Sequence, residues 1–218
     1  MNWLAHLYLS EALPQFQVGN LLPDLAPASQ LLALPQSYQQ GIRRHREIDT
    51  FTDMHPRWKS CVSRFPPPYR RFGGVLTDVY FDHVLARDWH NYSPVPLRRF
   101  IDDFYAEMEK CLPEIPGQSA AVLHRMREQD WLGSYHRIAG IRDILQRISC
   151  RLRRPFDLAG SIPAFEAHES AFQKDFHAFF PELIRHVQMP PLRGKCGDAM
   201  SAAASLRSGS PRQENGSL

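Results

Sequence analysis

HREIDTFTD, residues 45–53, sets one imidazole and two carboxylates at intervals of four, directly after two arginines. How this stretch is wound decides how the rest of the chain is read. At about 100° per residue, a helix carries His45, Asp49 and Asp53 along one slowly drifting stripe. Ile48 and Phe51 flank that stripe, while Arg43, Arg46 and Glu47 project from the opposite side. The three polar groups therefore border the face that a helix here would bury. The plainer reading is a capping aspartate with ordinary surface charge, because helix surfaces mix polarities freely.

The helical spacing recurs outward in both directions. Glycine is sparse, β-branched runs are nearly absent, and prolines fall between segments whose apolar residues repeat at helical intervals. The chain thus reads as all-α, with helices expected near 2–13, 36–55, 57–64, 68–89, 96–111, 119–128, 130–153 and 161–186. Pro14, Pro23, Pro27, Pro56, Pro66 to Pro68, Pro94, Pro113, Pro116 and Pro155 mark the breaks. Phe165, Phe172, Phe176, Phe179 and Phe180 read as a core stripe. With 218 residues, 43% hydrophobic and 22% charged, the sequence supports one compact helical domain over 1–187. From 188 to 218 Ser, Ala, Gly and Pro prevail, which reads as a disordered tail.

The opening MNWLAHLYLSEAL is apolar but lacks a basic lead-in, carries His6, and meets Glu11 and Pro14 early. It reads as a first core helix. No later apolar run approaches the roughly 20 residues that a membrane helix needs, so a soluble, cytoplasmic protein without a membrane partner is expected. Four cysteines, Cys61, Cys111, Cys150 and Cys196, form no CxxC pair, which argues against a zinc ribbon or a disulfide framework. Net charge is only +3, yet arginines cluster at 43, 44 and 46, at 70 and 71, at 98 and 99, and at 151, 153 and 154. Such clusters suit an anionic partner. Nothing sets them on one recognition helix with base-reading side chains, so nucleic acid is not expected.

A second stretch, GGVLTDVYFDHVLARDW, embeds Asp78, Asp82 and His83 in an arc with Val75, Val79, Leu85 and Ala86. A carboxylate among apolar neighbours loses hydration, and two of them one turn apart also repel. A divalent metal would relieve both, by replacing water and by turning repulsion into shared coordination. Imidazole beside carboxylate suits Mn²⁺, Fe²⁺, Co²⁺ or Zn²⁺, whereas Mg²⁺ leans on oxygen and water. The plainer alternative is ion pairing with Arg87 or with an arginine of a neighbouring helix. Asp24, after Pro23 in NLLPDLAP, can equally be a cap, and His6 a hydrogen-bonded core histidine.

In this order, MNWLAHLYLS, VGNLLPDL, GIRRHREIDTFTD and LTDVYFDHVLARDW resemble the acyl carrier protein phosphodiesterase family, also called acyl carrier protein hydrolyases. The resemblance runs over roughly residues 1–187 and takes in QDWLGSYHRIAGI and SCRLRRPF. It implies a helical fold distantly related to the metal-dependent HD phosphohydrolases. It also implies hydrolysis of the phosphodiester linking 4′-phosphopantetheine to a serine of holo-acyl carrier protein, with a divalent cation, chiefly Mn²⁺, or else Mg²⁺, Fe²⁺ or Co²⁺. Carried onto matching positions, Asp24, His45, Asp78 and Asp82 are metal residues, Asp49 and His83 acid or base, and His6 and Asp53 further members. The doublet runs Asp82-His83, the reverse of the usual superfamily order, and spacing alone does not separate ligand from acid or base. Arg43, Arg44 and Arg46 would then steer the acidic carrier protein. The competing function is an HD-like phosphohydrolase acting on a nucleotide or signalling pyrophosphate, which would need the same metal.

Overall fold

The computed structural model describes residues 1–189, and among them there are helices and turns but no strand. Helix α1 (Trp3–Tyr8) is capped by Asn2, whose side chain accepts the Trp3 N–H at 2.9 Å. It ends well before residue 13 because side chains replace its next turn. Ser10 Oγ and Asn20 Nδ2 each donate to the His6 carbonyl at 2.8 Å, and Arg44 Nη1 donates to the Leu9 carbonyl at 2.9 Å. Pro14, expected only as a break, is also the first residue of α2 (Pro14–Leu21), where a missing N–H does no harm. A 3₁₀ turn over Leu22–Asp24 leads to the short α3 (Ala28–Leu31). The long α4 (Gln36–Met54) and α5 (Pro56–Arg64) follow near their expected limits.

After a 3₁₀ turn at Tyr69–Phe72 come α6 (Gly73–Arg87), α7 (Leu97–Cys111), α8 (Gly117–Glu128) and α9 (Ile138–Ser149). The chain closes with α10 (Ile162–Glu166) and α11 (Glu169–Gln188). The helix expected over 130–153 is shortened to α9: Asp130 takes φ 44° and its carboxylate caps the Gly133 N–H at 3.3 Å, a 3₁₀ turn follows over Gly133–His136, and Arg137 is extended before α9 begins. The expected 161–186 helix likewise parts between α10 and α11, while Pro181 is tolerated inside α11. Helix α7 shows the amphipathic rule plainly: Ile101, Phe104, Tyr105 and Met108 are buried, and Arg98–Asp102 and Arg99–Asp103 pair on its outer face.

Two packing features position the site. Helix α6 is buried around most of its circumference and packs against α1, α5, α9 and α11. Helices α2 and α4 cross at their glycines: a Cβ on Gly41 would overlap the Phe16 carbonyl and lie 2.7 Å from the Asn20 nitrogen. The phenylalanine stripe lies in the core as expected, with Phe165, Phe172, Phe176, Phe179 and Phe180 all fully buried. Met1–Gln188 forms one compact unit, and the tail expected over 188–218 lies, from residue 190 onward, outside the described residues. Cys61, Cys111 and Cys150 are free thiols. No described helix is long and apolar enough to cross a membrane.

Candidate metal and active site

The α2–α4 crossing brings Asn20 between two histidines. His6, from α1, and His45, from α4, stack with ring centroids 4.3 Å apart and planes 14° from parallel. Asn20 Nδ2 donates to the His6 carbonyl and to Ser10 Oγ, which leaves Asn20 Oδ1 to accept from His6 Nδ1 at 3.0 Å. The Asn20 main-chain carbonyl accepts from His45 Nδ1 at 2.7 Å. One asparagine thus fixes both rings with Nδ1 protonated, and both Nε2 atoms face Asp49. His6 Nε2 lies 3.2 Å from Asp49 Oδ1 and His45 Nε2 lies 3.0 Å from Asp49 Oδ2.

A neutral imidazole with its proton on Nδ1 presents a lone pair at Nε2, so each of these contacts sets acceptor against acceptor unless a proton or a cation lies between. Burial pushes the His6 imidazole below its ordinary value, which disfavours a second proton there. Burial acts the same way on His45, but hydrogen bonding to Asp49 and the Asp24 charge outweigh it and raise that imidazole. Burial alone would raise Asp49, yet His45 and His6 override it and hold the carboxyl far below the usual range. His6, His45 and Asp49 offer ligand atoms that all lie within 4.8 Å of one another. Two imidazole nitrogens with a carboxylate are the donor set of a borderline divalent ion, and the Asn20 tethers supply the outer support such ligands need.

Two further acids stand at the rim, each held by an indole. Asp24 Oδ1 is 3.7 Å from His45 Nε2, and its other oxygen accepts from Trp3 Nε1 at 2.8 Å. Asp78 accepts from Trp58 Nε1 at 2.8 Å. The Met1 amino group lies 3.3 Å from Asp49 and 3.4 Å from Asp78. Burial raises the Asp78 carboxyl, against the Met1 charge and the Trp58 N–H. Both rim acids open onto a cavity of about 260 Å³ that Trp3, Val75 and Arg151 also line.

Four expected members are placed elsewhere. Asp82 accepts the Leu4 N–H at 2.7 Å and the Ala5 N–H at 3.2 Å, so backbone donors at the start of α1 compensate its burial. Burial pushes its carboxyl up to about 8, against the pull of the Leu4 N–H, the Met1 ammonium and the Ala5 N–H. His83 turns the other way on α6 and meets the Tyr135 carbonyl through Nδ1 at 2.6 Å. Asp53, one turn beyond Asp49, is exposed. Arg44 is spent on the Leu9 carbonyl and Glu47, leaving Arg43 and Arg46 as the exposed members of the arginine run. Conversely Asn20, Trp3 and Trp58 were not singled out in the sequence. Their only signal was position: Asn20 sits inside VGNLLPDL, and the tryptophans have donors that a buried site must use.

Fold and site together define a helical protein with an imidazole–carboxylate centre whose neighbouring acids, Asp24 and Asp78, line a cavity. The sequence pattern of the family described as acyl carrier protein phosphodiesterase matches residues 1–183. A Yersinia pestis protein named acyl carrier protein phosphodiesterase is 32% identical over 189 residues, spanning 86% of this chain and 98% of its own. Proteins of the same name from Pectobacterium atrosepticum and an Enterobacter species are each 31% identical, over 85% and 84% of this chain and 96% of theirs. No solved structure matches. The chain belongs to the acyl carrier protein phosphodiesterase family, a family of phosphoric diester hydrolases.

Proposed function

We propose that this chain hydrolyses the phosphodiester joining 4′-phosphopantetheine to the serine of holo-acyl carrier protein, using a divalent cation, preferably Mn²⁺, held by His6, His45 and Asp49 with Asp24 beside them. The observation that carries the metal site is the convergence of two Nε2 atoms on Asp49, with Asn20 engaging Nδ1 of both rings from behind. A cation bound there would supply neutralising charge to the phosphoryl oxygens and lower the pKa of water. In the net reaction, water bonds to phosphorus, the bond from phosphorus to the serine oxygen breaks, and a proton ends on that oxygen. Asp78 faces the cavity with its carboxyl raised by burial, and this suits it to take the proton from the attacking water. His83, engaged with Tyr135, leaves that role to Asp78. Arg43 and Arg46, exposed on α4, present positive charge to the acidic carrier.

Mass spectrometry of holo-acyl carrier protein tests this directly. With Mn²⁺ the carrier should lose the phosphopantetheine mass, with EDTA it should not, and Asp49→Ala should lower the rate by several orders of magnitude. An unchanged carrier mass alongside a hydrolysed nucleotide would overturn the substrate assignment, and full turnover in EDTA would overturn the metal.

A further inference from the structure

The cavity beside the rim acids shares part of its wall with a second recess. On the other side of Asn2, Trp3, Ile148 and Arg151, which line both, is a recess of about 50 Å³ lined also by Trp131, Ile144 and Arg147. There the Arg147 guanidinium lies over the Trp131 ring, 4.7 Å from its centroid. Trp131 in turn stacks on Trp3 at 5.8 Å, with 16° between the planes. A guanidinium held over an indole face by the cation–π attraction is restricted in position.

What this guanidinium lacks is an acceptor. Arg147 Nη2 is buried and has no hydrogen-bond partner among the described residues. The exposed Arg98 and Arg99 pair with Asp102 and Asp103, whereas Arg147 and Arg151 form no such ion pair among the described residues. Arg151 follows Arg147 by four positions, so two like charges stand close together and the second also faces the cavity that Asp24 and Asp78 open onto. Burial lowers the Arg147 pKa, and Arg151 adds to this against Tyr135 and Asp143. Arg87 Nη2 is likewise unpartnered, but Arg87 pairs with Asp88 and Glu169 through its other nitrogens, whereas Arg147 has no acceptor among the described residues and is open to one from outside the chain. The acids on the facing wall would repel an anion, so charge of the other sign is needed for a phosphate to enter at all.

We propose that Arg147 and Arg151 form an anion subsite that holds non-bridging oxygens of the phosphoryl group undergoing hydrolysis, with Trp131 restricting Arg147 in position. The assignment rests on reading the neighbouring cluster as a phosphodiesterase centre, and it adds the residues that orient the phosphoryl group. The three arginines of SCRLRRPF are all exposed, and it is Arg151 that lines the cavity.

Calorimetric titration of the full chain with inorganic phosphate in EDTA isolates this subsite from any metal. Wild type should bind saturably, Asp49→Asn should still bind, and Arg147→Gln and Arg151→Gln should each weaken binding at least tenfold. Arg147→Lys, which keeps the charge but not the planar fork, should fall between, and its thermal midpoint should match wild type, which separates lost binding from lost folding. With holo-carrier and Mn²⁺, Arg147→Gln should also lower kcat, and not only raise KM. Absence of saturable phosphate binding, or binding unchanged in Arg147→Gln, overturns the subsite. So does weaker carrier binding with unaltered phosphate binding, since the arginines would then hold the acidic face of the partner. Should wild type leave holo-carrier intact while the phosphate titration behaves as expected, the proposed substrate fails and the subsite stands.

Discussion

Asn20 is the residue on which the centre turns, because its side chain and main chain orient one imidazole each. Replacing it with leucine removes the acceptor for His6 Nδ1 and the donor to the His6 carbonyl, but leaves the backbone tether of His45. Loss of such an outer support typically lowers metal affinity about 10–100-fold, and leaving buried partners unpaired costs about 1–3 kcal/mol. Mn²⁺ titration and urea unfolding of Asn20→Leu measure the two effects separately, and unchanged Mn²⁺ affinity would remove the tether argument. Asp82 carries a different expectation. The resemblance placed it among the metal residues, but its oxygens serve two amides of α1. Asp82→Ala should therefore destabilise the protein by about 1–3 kcal/mol in urea, with Asp82→Asn losing less because one acceptor remains. Equal urea midpoints for all three proteins would return Asp82 to the metal. His45 and Asp49 were legible because both lie on one helix at a spacing of four. His6 entered only as a further member by resemblance and Asn20 not at all, since what they do depends on which helices meet.

At the scale of elements, that meeting is a glycine contact. Gly41 lets α4 approach the backbone of α2 at Phe16 and Asn20, and Gly19 lets α2 approach Tyr38 in return. Gly41→Ala must push the two helices apart, at about 1–3 kcal/mol, and the same displacement stretches the hydrogen bond from His45 Nδ1 to Asn20. Its urea midpoint and its Mn²⁺ affinity should fall together. Gly117→Ala is the control: nothing lies within 4 Å of its Cβ, so it should be neutral or stabilising by up to about 1 kcal/mol. A Gly41→Ala protein with wild-type stability would show that the crossing is loose. The long amphipathic helices α4, α7 and α11 were readable from periodicity. Helix α2 was not, because its eight residues are too few and too evenly buried to show a period, and the Asp130 break required a positive φ that no spacing announces.

Across the whole molecule, the all-α reading held because one buried helix, α6, collects contacts from both ends of the chain, from α1 to α11. The apolar arc around Asp78 and Asp82 was visible in the sequence, but the tertiary partner of each polar group was not: an indole for Asp78, amides for Asp82, and a carbonyl for His83. His83 makes the cost of that burial measurable. Burial lowers its pKa from the ordinary 6.5, and Arg87 adds to this against the Tyr135 carbonyl, Glu169 and Asp88. In the unfolded chain the imidazole takes a proton as pH falls through 6.5, while in the folded chain it resists. The unfolded state therefore binds more protons in the interval below 6.5, and stability is lost there as pH falls. His83→Asn keeps an N–H for the Tyr135 carbonyl and removes the titration. The stability of wild type minus that of His83→Asn, from urea unfolding at each pH, should be level above 6.5 and decline below it, with other titrating groups cancelling in the difference. A difference that stays level down to pH values where carboxylates begin to protonate would mean that His83 takes up its proton alike in the folded and unfolded chains, the Tyr135 carbonyl, Glu169 and Asp88 offsetting its burial.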